Sequence, residues 1–149
     1  MELGSVYEEV ILDHKRRPRN YREMPDADRR IEGYNPLCGD HLSFFVKLDG
    51  DRIEDVSFEG EGCAISMASA SMMTEAVRGK PIAEALVLYD EIHRLLTEED
   101  ADPDEAELGR LMALAGVRAY PARVKCASLG WQALRTALKE ANERQVSTE

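Results

Sequence analysis

The stretch Leu42-Ser43-Phe44-Phe45-Val46-Lys47-Leu48-Asp49-Gly50-Asp51-Arg52-Ile53-Glu54-Asp55-Val56-Ser57-Phe58-Glu59 decides how this chain folds. Leu42, Phe44, Val46 and Leu48 alternate with Ser43, Phe45, Lys47 and Asp49, a period of two that marks a strand with one face toward a core. Phe45 interrupts the alternation. Asp49-Gly50-Asp51-Arg52 is a turn sequence, and Ile53 to Glu59 returns as a second strand with Val56 and Phe58 on one face. The two are predicted to form a β-hairpin. With Gly50-Asp51 as its loop, Asp49 faces Arg52 and each further pair lies equally far from the turn. Cys38 and Cys63 then fall at the same open end, even where the ladder has stopped or bulged before reaching them.

Asp40 follows Cys38 by two residues, and Gly39 between them permits a bend that turns both side chains toward one point. Cys63 stands where the second strand gives way to a helical pattern, so unpaired amides and the positive end of the helix dipole favour its thiolate. Each of the three is positioned to bind a cation. The residues alone leave two readings open: a shared metal site, or cysteines buried separately beside an ordinary Gly-Asp turn. Their separations lack the specificity of paired Cys-x-x-Cys motifs. His41 adjoins Asp40 as a spare ligand, but as the next residue of a strand it is expected to point elsewhere. His14 and His93 fall on apolar helical stripes, where a packed core histidine is the commoner outcome than a ligand.

Outward from the hairpin, Leu3, Val6, Tyr7, Val10, Ile11 and His14 recur at helical spacing until Pro18 stops the pattern. A polar stretch from Arg19 to Arg30 leads to a short strand over Ile31 to Tyr34. On the other side, Cys63 to Met73 is rich in Ser, Ala and Met, which suits a tightly packed helix ending near Gly79. Pro81 opens a further helix with Ile82, Leu86, Tyr89, His93 and Leu96 along its inner face. Asp102-Pro103 reads as an N-cap and first helical residue, followed by a short helix carrying Leu108, Leu111, Met112 and Ala115 and closed by Gly116. A last helix bears Trp131, Leu134, Leu138 and Ala141, and the polar residues from Asn142 are expected to fray.

A length of 149 residues suits one domain, over 1–149, with its own core. The 29 acidic against 19 basic residues give a net charge of -10, which repels phosphate backbones and argues against nucleic acid as a partner. The one basic group, His14-Lys15-Arg16-Arg17-Pro18-Arg19, reads either as a solvated helix end complementing the dipole or as part of a docking surface. No cationic segment precedes an apolar run, and no stretch approaches the ~18 apolar residues of a membrane span. A cytosolic protein is expected. There three cysteines are more plausible as metal ligands or reactive thiols than as disulfides.

Asp13-His14, Pro18-Arg19-Asn20, Asn35-Pro36-Leu37-Cys38-Gly39-Asp40, Gly62-Cys63-Ala64 with its Ser/Ala/Met helix, and Cys126-Ala127-Ser128-Leu129 occur in this order along the chain. Together they resemble the IscU/NifU/SufU iron-sulfur assembly family. The resemblance implies an α+β fold in which a small three-stranded antiparallel sheet packs against about five helices. It also implies a metal site made by three cysteines and one aspartate, carried here by Cys38, Asp40, Cys63 and Cys126. Lys125 stands where the IscU pattern has histidine before the last cysteine. With the segment Tyr120 to Cys126 and the acidic insertion around residues 97–116, this resembles the SufU branch. That branch implies zinc and receipt of sulfur from a SufS-type cysteine desulfurase.

Three thiolates and a carboxylate carry two more negative charges than a zinc ion cancels, and Arg123 and Lys125 lie beside Cys126 to offset them or simply to be solvated. Aspartate is a harder ligand than cysteine, so a Cys₃Asp site exchanges more easily than Cys₄. Cys38, on a loop bounded by Pro36 and Gly39, is the expected sulfur acceptor. The resemblance thus supports a zinc-dependent sulfurtransferase half-reaction that passes sulfur to a downstream scaffold or apo acceptor. A scaffold for a transient [2Fe-2S] cluster or iron, and a structural zinc module, use the same four ligands. The missing histidine favours the first.

Overall fold

The hairpin forms from β2 (Asp40–Asp49) and β3 (Arg52–Glu61), preceded by β1 (Arg29–Asn35), in a computed structural model that describes residues 5–98, 102–139 and 145–148. Asp49 pairs with Arg52 and Leu48 with Ile53, as the turn sequence predicts. The register then shifts: Lys47 pairs with Asp55, leaving Glu54 as an extra residue on β3. The reason lies in the side chains. Ile53 is three residues from Val56, so in a regular strand the two would face opposite ways. A one-residue bulge returns Ile53, Val56 and Phe58 to one face, and all three are fully buried. Ile53 is also tied to the turn after the next helix, through Ile53 N to Lys80 O and Gly79 N to Ile53 O.

Phe45, on the face opposite Phe44, is buried as well, with Arg30 over its ring. The polar segment after Arg19 explains part of this. It hydrogen-bonds to Phe58 through Asn20 and Arg22 and to Val46 through Asp28, so it crosses the sheet from β3 to β2 and brings Met24 to a buried position. It also covers the free edge of β3.

The sheet has four strands, in the order β3-β2-β1-β4, rather than the three antiparallel strands expected. β4 (Gln145–Ser147) runs parallel to β1. Its residues were expected to fray, because three residues with one apolar side chain carry no periodic signal. They are held instead by long-range bonds, Thr148 N to Tyr34 O and Thr148 Oγ1 to Lys125 O. The α+β class stands, with the helices gathered on one side of the sheet.

That side is covered by α2 (Ala64–Val77) against β3 and by the last helix, α5 (Pro121–Lys139), against β1 and β2. The small residues of α2 allow close approach: a Cβ on Gly130 would lie 3.3 Å from the Ala70 backbone, and Ser69 Oγ donates to Ala127 O at 2.6 Å. α1 (Ser5–Arg16) packs on α2 and α3 (Ile82–Thr97) on α5. In α1, Val10, Ile11 and His14 are buried, and His14 Nδ1 lies 2.7 Å from Ser71 Oγ, a core histidine. Leu3 and the side chains of Val6 and Tyr7 lie outside the described residues, as do residues 99–101 of the acidic run and Ala141 and Asn142. The basic group after α1 is partly neutralised: Arg17 and Arg19 pair with Asp13, and Arg19 also with Glu75.

Two helical expectations need correcting. The inner face of α3 is Ala85, Leu88, Tyr89, Ile92, Leu95 and Leu96, and His93 is exposed, stacked against Tyr89. The period allowed either stripe, and packing against α5 chose the one richer in leucine. The short helix begins two residues later than Asp102-Pro103 suggests. Asp104 caps α4 (Glu105–Leu108) by accepting from Ala106 N and Glu107 N, and the chain then continues as a 3-10 segment, Gly109–Ala119.

Candidate metal centre

Strand parity decides which side chains reach the end of the sheet beneath α5. Asn35 and Asp40 are the last pair between β1 and β2, so they share a face, and it is the helix-covered one that also carries Ile31 and Leu42. Tyr34 and His41, the preceding pair, face the other way, their rings stacked 4.5 Å apart and His41 bonded to Glu32. His41 is therefore turned from the cysteines. Between the strands, Gly39 takes φ +71°, the left-handed conformation that glycine adopts without strain, and closes the loop that carries Cys38.

Cys63 is the N-cap of α2, where its Sγ accepts from Ser66 N at 3.4 Å and its own amide donates to Asp40 Oδ1 at 2.8 Å. Cys126 lies inside α5, fully buried. Its sulfur is 3.0 Å from that of Cys38. The ligand atoms of Cys38, Asp40, Cys63 and Cys126 all lie within 4.8 Å of one another. Residues from three distant stretches of the chain thus come together: Cys38 and Asp40 from the β1–β2 loop and the start of β2, Cys63 from the start of α2 and Cys126 from the first turns of α5.

Asn35, which the sequence reading left without a role, is fully buried among them. Its side-chain amide donates to Asp40 Oδ2 and to Cys126 Sγ, each at 3.2 Å. The available signal was its odd-numbered position in β1, shared with the core residue Ile31. Arg123 Nη1 lies 3.8 Å from Cys38 Sγ, at the exposed rim. Lys125 makes no hydrogen bond or ion pair with the four side chains among the described residues; its carbonyl is held by Thr148. Of the two cations suggested by sequence, only Arg123 reaches the cluster.

The electrostatics need a cation. Asp40 is 2% exposed and Cys126 0%, and the Arg123 guanidinium that reaches the cluster is at the surface. Burial pushes the Cys126 thiol far up, and hydrogen bonds with Cys38 and Cys63 and the charges of Cys63 and Asp40 push it further. The Arg123 pKa is raised by its hydrogen bond to Cys126 and by the charge of Cys63. A divalent ion would reverse the penalty on the thiols. The dimensions lie close to those of a zinc cage: bonds of about 2.0–2.3 Å place tetrahedral ligands roughly 3.3–3.8 Å apart, so pairs near the 4.8 Å limit would close by about 1 Å while the Cys38 and Cys126 sulfurs, 3.0 Å apart, would open by about 0.8 Å.

Access is from one side. A depression of about 290 Å³ lined by Ile11, Leu12, Ala64, Ile65 and Arg123 has Cys63 in its wall, and Leu37, 66% exposed, projects beside Cys38. A larger cavity, about 620 Å³, lies between α1, α2, α3 and α4 and contains none of the four residues. No helix among the described residues is long and apolar enough to cross a membrane.

Residues 6–148 match the model of the NifU-like N-terminal domain. The zinc-dependent sulfurtransferase SufU of Bacillus subtilis is 47% identical over 132 residues, 89% of this chain and 88% of that protein. The iron-sulfur cluster assembly scaffold protein IscU of Streptococcus pyogenes is 43% identical over 148 residues, 99% of this chain and 92% of that one. A crystal structure from Fervidobacterium islandicum, given as a candidate assembly scaffold for the SUF system, superposes with a TM-score of 0.83 at 38% identity, covering 91% of this chain and all of that one. With a match that spans almost the whole chain and relatives this similar, the protein belongs to the NifU-like N-terminal domain family of iron-sulfur cluster assembly proteins.

Proposed function

We propose that this chain is a sulfur carrier of iron-sulfur cluster biogenesis, working in the cytoplasm as a single domain. It takes sulfur from a SufS-type cysteine desulfurase on Cys38 and hands it to a downstream scaffold or apo acceptor. Zinc is the ion that Cys38, Asp40, Cys63 and Cys126 would hold, and the similarity to a SufU described as zinc-dependent supports that choice over iron. When bound, the ion keeps the thiols deprotonated at neutral pH.

The observation that carries the reading is the asymmetry of the cluster. Cys126 is fully buried inside a helix, and Cys63 is fixed as a helix cap, while Cys38 sits on a loop beside the exposed Leu37 and within reach of Arg123. Only Cys38 can move toward a partner without disturbing a helix. Its thiolate attacks the outer sulfur of the desulfurase persulfide. A sulfur–sulfur bond forms at Cys38 Sγ, the persulfide bond of the desulfurase breaks, and the desulfurase cysteine leaves as a thiolate, with no net oxidation or reduction. The persulfide proton stays on the transferred sulfur. Arg123 stabilises the anionic sulfur on either side of the exchange.

The test is the rate of a cognate desulfurase with the purified, zinc-analysed chain and with Cys38→Ala. Wild type is expected to be colourless, to carry one zinc, and to accelerate the desulfurase; the variant is expected to give no acceleration. An equally active Cys38→Ala protein would remove the acceptor assignment. Anaerobic reconstitution yielding a stable coloured cluster that passes intact to an apo acceptor would replace the carrier by a scaffold.

A further inference from the structure

Asp40 is clamped through both of its oxygens: Oδ1 accepts from the Cys63 amide at 2.8 Å and Oδ2 from the Asn35 side-chain amide at 3.2 Å. The same Asn35 nitrogen lies 3.2 Å from Cys126 Sγ. One amide group, on the last residue of β1, therefore spans two members of the cluster that come from different elements. Asn35 is fully buried, and its own Oδ1 has no hydrogen-bond partner. A buried carbonyl left unpaired is unfavourable, so the side chain is held in this orientation by what its nitrogen does. Exchanging the two ends would aim the carbonyl at a carboxylate and a sulfur, both acceptors once deprotonated.

We infer that Asn35 is the positioning residue of the metal centre, resting on the reading of Cys38, Asp40, Cys63 and Cys126 as ligands. Its two N–H bonds fix the Asp40 carboxylate and the Cys126 sulfur in the geometry that an ion requires. As a neutral donor it does so without adding a charge that would compete with the ion. Arg123 does not serve in its place, because it is exposed at the rim and makes no hydrogen bond to Asp40 among the described residues. Partners that orient ligands in this way are worth about 10–100-fold in metal affinity.

The experiment compares wild type, Asn35→Ala and the isosteric Asn35→Asp, each loaded with Co²⁺ for its spectrum and with Zn²⁺ in competition with a chelator. The unfolding midpoint of each metal-free protein is measured alongside. Asn35→Ala is expected to bind zinc about 10–100-fold more weakly with altered cobalt ligand-field bands, and Asn35→Asp more weakly still because it places a second carboxylate beside Asp40. Zinc affinity and cobalt spectrum equal to wild type would overturn the inference, as would a loss of metal-free stability with affinity retained. A wild-type chain that shows no thiolate-to-cobalt absorption would instead remove the metal reading itself. A measurement independent of variant folding uses wild type loaded with the spin-active cadmium isotope. A scalar coupling between an Asn35 side-chain amide proton and the metal, through Cys126 Sγ, is expected, and its absence would overturn the inference.

Discussion

On the proposed reading, Asp40 is the residue that separates a labile centre from an inert one. Three thiolates and a carboxylate form a mixed set, and the oxygen ligand is the weaker partner of a borderline-soft ion such as zinc. Asp40→Cys is expected to fit, since the position is buried and its neighbours, the Cys63 amide and Asn35, can donate to a thiolate as well as to a carboxylate. The variant should hold zinc more tightly by about 1.4 kcal/mol, or tenfold, and should accelerate a desulfurase roughly in proportion less, because Cys38 leaves the ion less often. Chelator competition and desulfurase assays on one preparation measure both. Tighter binding with undiminished acceleration would show that ligand release does not limit transfer. At this scale the sequence was informative about identity and poor about neighbours: Cys38, Asp40, Cys63 and Cys126 were all named from motifs. Asn35 was quoted inside one of those motifs and given no role, because burial of a polar side chain cannot be read from its own letter.

Among the elements, the hairpin shows how far periodicity reaches. The turn and both strands were legible, and pairing outward from Asp49 and Arg52 correctly placed Cys38 and Cys63 at one end. The pairing was nevertheless out by one residue beyond Leu48, since Glu54 is bulged. The cue was present in the odd spacing of Ile53 against Val56 and Phe58, and it could be interpreted only once all three were known to be buried. Deleting Glu54 brings Ile53 two residues from Val56, the spacing at which a regular strand keeps both on the buried face. The urea midpoint and slope are therefore expected to hold. A loss of about 1.5–3 kcal/mol, the burial of one large aliphatic side chain, would mean that the bulge itself keeps Ile53 in the core. β4 marks the opposite limit. Its three residues are defined by pairing with Glu32, Gly33 and Tyr34 and by the bonds of the next residue, Thr148, to Tyr34 and Lys125, partners far away in sequence, and no local pattern announces them.

The molecule as a whole is built so that its chemistry sits at a seam. The β1–β2 loop, the junction of β3 with α2, and the start of α5 meet at the cluster, while the tight turn at Gly50-Asp51 lies at the far end of the same hairpin. In the seam polar side chains, Asn35 and Asp40, are buried beside the cysteines, and without an ion burial and the neighbouring groups disfavour ionisation of Cys126. The core elsewhere, from Ile53 and Phe58 to Trp131 and Leu134, is apolar and closed. An ion that binds the folded chain and not the unfolded one stabilises it by mass action, by about 2.7 kcal/mol at a free concentration one hundred times its Kd. Removing it should therefore act locally before it acts globally. With a chelator and a thiol reductant, amide hydrogen exchange is expected to quicken at residues 35–40, 62–66 and 122–127. Residues 44–58 of the hairpin should keep their protection, because their bonds and buried side chains do not depend on the ion. Uniform loss of protection along the chain would mean that the ion holds the entire fold, which is the behaviour of a structural site. Loss confined to the seam is what a carrier needs, since one cysteine can then leave the ion while the sheet and helices around it stay in place.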